Sequence, residues 1–206
     1  MNKLIVTLCL LLLTACTLTP QLNAPIAIYD LGIPQAENNQ IANQPTTKSL
    51  SILVTDIVSP VWLDNHAIHY RLAYQNPAQL HAYANSRWAA APAALLTRQI
   101  SMHLMANTIY EIINTNDGIH ADFTLNLTLE DFTQTFNSAN ESHATIHLNA
   151  SLIEHRTRTL TAQHQFTIQK IASTSNSAGG VYALIEASNQ LNIEIIDWLS
   201  NELAVR

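Results

Sequence analysis

Residues 123–129 read Phe-Thr-Leu-Asn-Leu-Thr-Leu, an unbroken alternation of apolar and polar side chains. Because successive side chains of a strand point to opposite faces of a sheet, this alternation predicts a strand with one buried and one hydrated face. Two later segments repeat the pattern, with their apolar residues at Ala144, Ile146, Leu148, Ala150 and Leu152 and at Leu160, Ala162, Phe166 and Ile168. Three such strands joined by short polar turns predict an antiparallel meander.

A helix is predicted to follow the three strands from about Gly180, after a loop over residues 173–180. Its apolar residues recur at the spacing of a single helical stripe, while Glu194 and Asp197 lie off it. The stripe consists of Val181, Leu184, Ile185, Leu191, Ile195, Trp198 and Leu199.

The preceding half of the chain has a similar order of strands followed by a helix. Alternating residues predict strands over about 50–54 and 68–74, separated by Pro60, and a weaker extended segment over about 79–84. Asn85 or Ser86 can cap a helix that runs to about Asn114, with Pro92 near its start. The two halves predict an α+β fold in which antiparallel sheet strands carry two long helices on one side, in the order strands-helix, strands-helix.

The amino terminus has the features of an export signal. Lys3 precedes an apolar run from Leu4 to Leu13, which is about half the roughly 20 residues of a membrane-spanning helix. Leu13-Thr14-Ala15-Cys16 resembles the lipobox of bacterial lipoproteins, in which the cysteine is acylated and the chain is cut before it. The alternative is an ordinary secretory signal with a cysteine near its cut.

Cysteine usage favours the lipoprotein signal. Cys9 lies inside the signal, so Cys16 is the one cysteine of the mature chain and no disulfide can form. A single thiol in an oxidising compartment is a liability unless it is chemically occupied, and acyl chains such as palmitate would anchor it to a membrane. Thr17, where an aspartate would favour the inner membrane, predicts lipid anchoring in the outer membrane of a Gram-negative envelope, facing the periplasm.

The predicted domain organisation has three parts. Residues 1–15 form the signal peptide, residues 16–48 the lipidated cysteine and a Pro-rich spacer, and residues 49–206 the folded domain. One apolar island within the spacer, residues 26–31, can pair as an edge strand.

Composition and motifs argue against a nucleic-acid protein and against an enzyme. The chain is 48% hydrophobic and 12% charged, with a net charge of −6 and no cluster of cations to replace phosphate counterions. The chain has four glycines, neither a Gly-x-Ser-x-Gly elbow nor a phosphate-binding loop, and Gly179-Gly180 fits a turn. Glu130-Asp131 is interpreted as a solvated strand end.

Nine histidines are scattered along the sequence. His143 and His147 share a strand face, but four residues of strand separate them by roughly 13 Å, too far to bind one ion. We therefore expect neither a metal nor a cofactor.

The candidate functional residues are aromatic and basic. Trp62 lies in a loop led by Pro60, where it is either part of the core or exposed to a partner. Arg71 and Arg87 lie near the same group of aromatic residues, and with Trp62 they are the predicted partner-facing residues.

Several motifs occur in an order that extends over nearly the whole mature chain. After the lipobox come Tyr29-Asp30-Leu31, Pro60-Val61-Trp62-Leu63-Asp64, Ile68-His69-Tyr70-Arg71, Tyr83-Ala84-Asn85-Ser86-Arg87-Trp88, Leu129-Glu130-Asp131-Phe132-Thr133-Gln134 and Trp198-Leu199. This order resembles the ABC-type transport auxiliary lipoproteins, the group that includes the PqiC-like outer-membrane lipoproteins.

The resemblance implies a non-catalytic auxiliary component of a system that moves lipid or another hydrophobic molecule across the periplasm. The implied partners are an ABC permease and ATPase and a periplasmic MCE-domain protein, and a homo-oligomer is left open. Among the residues of the family motifs, only Cys16 carries over with a function, as the lipidation position. Two alternatives are a module that itself binds and carries lipid and a structural or assembly lipoprotein of the envelope.

Overall fold

The computed structural model describes residues 25–32 and 50–204. Cys16, the predicted signal peptide and most of the predicted spacer lie outside these residues. The described part contains eight strands, two α-helices and a 3₁₀ turn at Thr115–Asp117. In chain order the elements are β1 (Ala27–Tyr29), β2 (Ser51–Val54), β3 (Ala67–Leu72), β4 (Leu80–Trp88), α1 (Pro92–Asn107), β5 (Glu111–Asn114), β6 (Phe123–Ser138), β7 (Glu141–Glu154), β8 (Thr159–Ile171) and α2 (Ser177–Leu203).

Strand β6, with 16 residues, organises the sheet. On one side β6 pairs antiparallel with β7, and β7 with β8, which confirms the predicted meander. On its other side β6 is shared by two shorter strands, since Phe123 pairs with Ile52 in β2 and Gln134 pairs with Tyr70 in β3. Strand β5 extends the sheet beyond β2, and strands β4 and β1 extend it beyond β3.

The sheet is mixed, and the prediction of a purely antiparallel sheet is wrong. The β1–β4, β2–β5, β2–β6 and β3–β6 pairs are parallel, whereas β3–β4, β6–β7 and β7–β8 are antiparallel. Parallel neighbours need long connections between them, and here each connection between parallel neighbours contains other strands or a helix. The coarser prediction, a fold that combines strands with two helices, is confirmed.

The first helix is shorter than predicted. Helix α1 covers Pro92–Asn107, and the residues on either side of it form strands β4 and β5. Pro92 suits the first position of a helix, because the N–H that proline lacks would have no partner there. Beyond the helix, the β-branched pair Ile112-Ile113 favours a strand.

The core lies between the sheet and the helices. Helix α2 packs on β6, β7 and β8, and α1 packs on α2 and β5. The stripe predicted for α2 faces this core, with Leu184, Leu191, Ile195 and Leu199 each 0% exposed. None of the helices in the described residues is long and apolar enough to cross a bilayer.

Strand β1 brings part of the predicted spacer into the sheet. Tyr29 lies opposite Trp88 in a parallel pair, and the Ala89 amide donates to the Tyr29 carbonyl over 2.7 Å. Two residues later Leu31 is only 4% exposed, and the Gly32 amide donates to Asp30 Oδ1 over 2.9 Å. The chain is therefore held against the domain over residues 27–32.

Candidate partner interface

The connection between β2 and β3, residues 55–66, is the β2–β3 loop. Its first part continues along the edge of β6, because Val58 donates to the Leu127 carbonyl over 3.2 Å and accepts from the Leu129 amide over 2.8 Å. At its far end Ala67, the first residue of β3, donates to Asn65 Oδ1 over 2.8 Å. Backbone hydrogen bonds thus attach the loop to the sheet at its start and a side-chain cap holds its end.

The middle of the β2–β3 loop is a tight turn that exposes apolar side chains. The Leu63 amide donates to the Pro60 carbonyl over 2.9 Å, and Asn65 Nδ2 donates to the Trp62 carbonyl over 2.7 Å. Leu63 is 0% exposed and anchors the turn, whereas Val61 is 92% and Val58 is 66% exposed. The loop therefore presents two valines to solvent on a fixed backbone, Val58 along the edge of β6 and Val61 in the turn.

Trp62 and Arg71, two of the predicted partner-facing residues, lie together. The Arg71 guanidinium carbon is 5.7 Å from the centre of the Trp62 ring, a cation–π distance, and the His69 ring packs against Trp62 in a T-shaped arrangement with 5.6 Å between ring centres. Trp62 is partly buried and packs against the core. These contacts fix the indole at the surface rather than leaving it free.

Arg87, the third predicted residue, is held within strand β4. Its Nη1 donates to the Tyr83 carbonyl over 2.6 Å and to the Ser86 carbonyl over 3.0 Å. The side chain is partly buried, and in the sheet Arg87 lies opposite Ala67 of β3 and Ile28 of β1. Arg87 therefore donates hydrogen bonds to carbonyl groups of its own strand.

Buried polar groups lie on the same sheet face as Trp62, and the sequence did not reveal them. His69 is 8% and Thr133 is 0% exposed, and the pairing of β3 with β6 makes them neighbours. Within the described residues, His69 Nε2, Thr133 Oγ1 and Asp131 Oδ1 are buried atoms without a hydrogen-bond partner. The prediction of a solvated strand end at Glu130-Asp131 is wrong, because β6 continues through these residues with a register shift between Leu129 and Asp131.

Burial lowers the pKa of His69 below its ordinary value of 6.5. The backbone of His81 and of Trp62 acts in the opposite direction, as does the charge of Asp131, while the charge of Arg71 lowers the pKa further. The imidazole against Trp62 is therefore favoured in its neutral form.

This pKa shift predicts a loss of stability in mild acid. Above about pH 7 the histidine is neutral in both states, but below 6.5 the unfolded chain takes up a proton that the folded chain resists. We expect the free energy of unfolding to fall as the pH drops below about 6.5, and to fall less in a His69→Gln variant. Urea unfolding of the mature chain carrying Cys16→Ser measures both.

Burial also lowers the pKa of His103, so a His103→Gln variant separates the two contributions. An undiminished pH dependence in His69→Gln would show that His69 does not cause it.

The Gly179-Gly180 pair lies in the first turn of α2 rather than in a simple turn. Asn176 caps the helix by accepting the Gly179 amide over 3.0 Å, and a Cβ at Gly180 would overlap the side chain of Gln134. Gln134 in turn accepts from Tyr83 Oη and donates to Ser142 Oγ, each over 2.8 Å. Gly180 therefore allows α2 to pack closely on the buried side chain of Gln134, and this packing accounts for the glycine without a ligand.

A cleft and the placement of potential metal ligands bear on what the described residues can bind. A cleft of about 320 Å³ lies beside the β2–β3 loop, where Asp56 and Asp64 face Ala91 and Thr97 at the start of α1. No group of three or more His, Cys, Asp or Glu in the described part of the chain is placed to hold a metal ion.

Known proteins share both the sequence pattern and the fold. The family model described as the ABC-type transport auxiliary lipoprotein component matches residues 29–196. A crystal structure of a Xanthomonas campestris protein superposes with a TM-score of 0.73 at 21% identity, over 85% of this chain and 95% of that one. A hypothetical protein from Chlamydia trachomatis gives a TM-score of 0.51 at 10% identity, over 76% and 99% of the two chains. No curated protein matches the chain by sequence.

Proposed function

The chain belongs to the ABC-type transport auxiliary lipoprotein family, and from this premise we propose that it is the lipid-anchored, non-catalytic docking subunit of such a system. In this proposal residues 1–15 are removed, Cys16 is acylated, and the domain is held at the periplasmic face of the outer membrane. It receives an MCE-domain protein that works with an inner-membrane ABC permease and ATPase, in the transport of a lipid or another hydrophobic molecule.

The docking role is proposed mainly from the structure of the β2–β3 loop. Leu63 and the backbone hydrogen bonds hold the turn, and Val61 is nevertheless 92% exposed. A rigid apolar protrusion loses little conformational freedom on binding, which is the property of a contact residue that contributes strongly to affinity. Trp62, held by Arg71 and His69, lies next to it in the chain. The acidic side chains of Asp56 and Asp64 line the cleft at its border.

Docking explains the described residues better than a lipid-carrying role does. A carrier needs apolar space for acyl chains, and the natural place for it is between the sheet and the helices. In the described part of the chain, that interface is filled by side chains that are 0% exposed, including Leu125, Leu148, Leu184 and Leu191. A purely structural envelope lipoprotein would have the same core packing, so packing does not distinguish it from a transport subunit. The identity of the captured proteins does.

We expect the tagged full-length lipoprotein, cross-linked in cells and solubilised in mild detergent, to recover ABC and MCE components. Val61→Asp should lower this recovery at least about tenfold, because burying an unpaired carboxylate costs more than the roughly 1.4 kcal/mol of one factor of ten. Ile193→Asp is the matched control, since Ile193 is an apolar residue of α2 that is 53% exposed. Quantitative mass spectrometry of the captured proteins gives the recovery.

The transport role and the position of the docking surface are tested by different outcomes. Capture of envelope proteins without any ABC or MCE component would favour the structural role. Equal recovery by Val61→Asp and the parent protein would place the docking surface elsewhere on the domain.

A further inference from the structure

The folded domain begins much closer to Cys16 than the sequence suggests. Because β1 starts at Ala27, only residues 17–26 connect Cys16 to the sheet. Eleven residue steps span at most about 40 Å when fully extended. A spacer that continued to residue 48 would span more than 100 Å at about 3.3 Å per residue. The pairing of β1 thus shortens the tether by more than half.

The direction of β1 identifies the end of the sheet from which the tether leaves. Strand β1 runs parallel to β4, with Ala27 opposite Ser86, so the chain before Ala27 comes from the side of Leu80, where β4 begins. We call this side the proximal end. It contains the β3–β4 turn (residues 73–79), the β6–β7 turn (residues 139–140) and the β8–α2 loop (residues 172–176).

The opposite side of the sheet, the distal end, contains the β7–β8 turn (residues 155–158) and the starts of β2, β5 and β6. Strand β7 has 14 residues and joins the two ends, which places them about 45 Å apart at 3.3 Å per residue. The six residues from Ser86 back to Leu80 already take up about 20 Å of the reach of the tether. At most about 20 Å is then left between the proximal end and the membrane.

The exposed side chains of the proximal end suit a bilayer surface. Ile171, at the end of β8, is 86% exposed, and Tyr74 in the β3–β4 turn is 45% exposed. Tyrosine is favoured at the level of lipid headgroups, where its ring is half immersed and its hydroxyl is hydrated. The turns beside them carry uncharged polar residues such as Asn76 and Asn140. The distal end also exposes apolar side chains, Ile109 and Leu160, so the direction in which the tether leaves β1 decides which end meets the bilayer.

We propose that the proximal end of the domain lies against the bilayer that holds Cys16, with Tyr74 and Ile171 at the level of the headgroups, and that the distal end points away from it. The inference rests on the proposed anchoring at Cys16 and adds an orientation to it. The domain then works at the membrane surface rather than at the end of a long spacer.

The two turns at the ends of β7 provide a matched test. Asn140 and Thr157 are both exposed turn residues, one proximal and one distal. The acylated full-length protein, with Asn140→Cys or Thr157→Cys labelled by bimane, is reconstituted into phosphatidylethanolamine and phosphatidylglycerol vesicles with headgroup spin-labelled lipid. We expect quenching of the label at position 140 to exceed that at position 157 at least twofold.

Equal quenching at the two positions, or stronger quenching at position 157, would overturn the orientation. Failure of the proposed anchoring gives a different result, because a chain without acyl groups on Cys16 would not float with the vesicles and its mass would lack them. The mass and the flotation are therefore measured on the same samples. Both labelled positions lie outside regular strands and helices, so neither substitution removes a core contact.

Discussion

A Gly180→Ala substitution is expected to destabilise the domain by about 3 kcal/mol, although alanine is ordinarily the better residue inside a helix. The added Cβ would overlap Gln134, whose side chain is completely buried and bound to Tyr83 and Ser142. Forcing atoms into a packed core costs about 1–3 kcal/mol, and displacing Gln134 also leaves buried hydrogen-bonding groups unpaired. Urea unfolding of the mature Cys16→Ser chain measures the change.

Two variants make this prediction specific. Gly118 has a φ of +66° and open space around it, so Gly118→Ala should cost only the backbone strain, about 1 kcal/mol. In a Gln134→Ala background the overlap is gone, and Gly180→Ala should there be neutral or stabilising. The same cost of Gly180→Ala in both backgrounds would show that contact with Gln134 is not its cause.

Trp88→Ala is expected to cost about 4 kcal/mol, and Trp88→Phe less than about 1.5 kcal/mol. Trp88 is 1% exposed, meets the ring of Phe132 edge-on at 5.5 Å between centres, and lies opposite Tyr29 in β1. Its Nε1 has no hydrogen-bond partner among the described residues, so phenylalanine loses contact area and no hydrogen bond. Urea unfolding again provides the free energies.

Trp62→Ala is the control for this comparison, because Trp62 is only partly buried and should cost far less stability than Trp88. A Trp88→Ala variant no less stable than Trp62→Ala would contradict the assignment of Trp88 to the core. Trp88 thus maintains the fold, and it is Trp62 beside Val61 that we place at the partner surface.

Local patterns were enough to predict the second half of the fold. In β6, β7 and β8 each strand has more than ten residues, so alternation is unmistakable, and short turns leave antiparallel pairing as the simple solution. The stripe on α2 extends over several turns and has one sheet face to cover. In these elements, residues that are close together in the sequence determine the structure.

The first half depends on contacts that no local pattern contains. Strand β5 has four residues, too few for a period to separate a strand from a helix, and it was therefore included in the predicted helix. Strand β2 is equally short and was predicted from its alternation, but its neighbours in the sheet were not. The parallel pairs of β2 join residues far apart in the chain, since Ile52 lies opposite Ile112 in β5 and Phe123 in β6. The direction of such pairs cannot be read from either segment alone.

In the candidate partner interface too, a local motif predicted some features, whereas contacts between distant residues produced the others. The Pro-led motif around Trp62 identified the loop, but the exposure of Val61 follows from the anchoring of Leu63 in the core. The buried group of His69, Asp131 and Thr133 is assembled by the pairing of β3 with β6. No signal within either segment indicates that pairing, so sequence patterns did not find it.

The shared edge of β6 has a consequence for the order in which the molecule is made. Synthesis runs from the amino end, so β2 and β3 are complete 84 and 66 residues before β6 is complete at Ser138. Until then, the edges of β2 and β3 that will pair with β6 lack that partner. A chain that stops before Ser138 therefore lacks the strand that joins the β2–β5 pair to the β1, β4 and β3 strands.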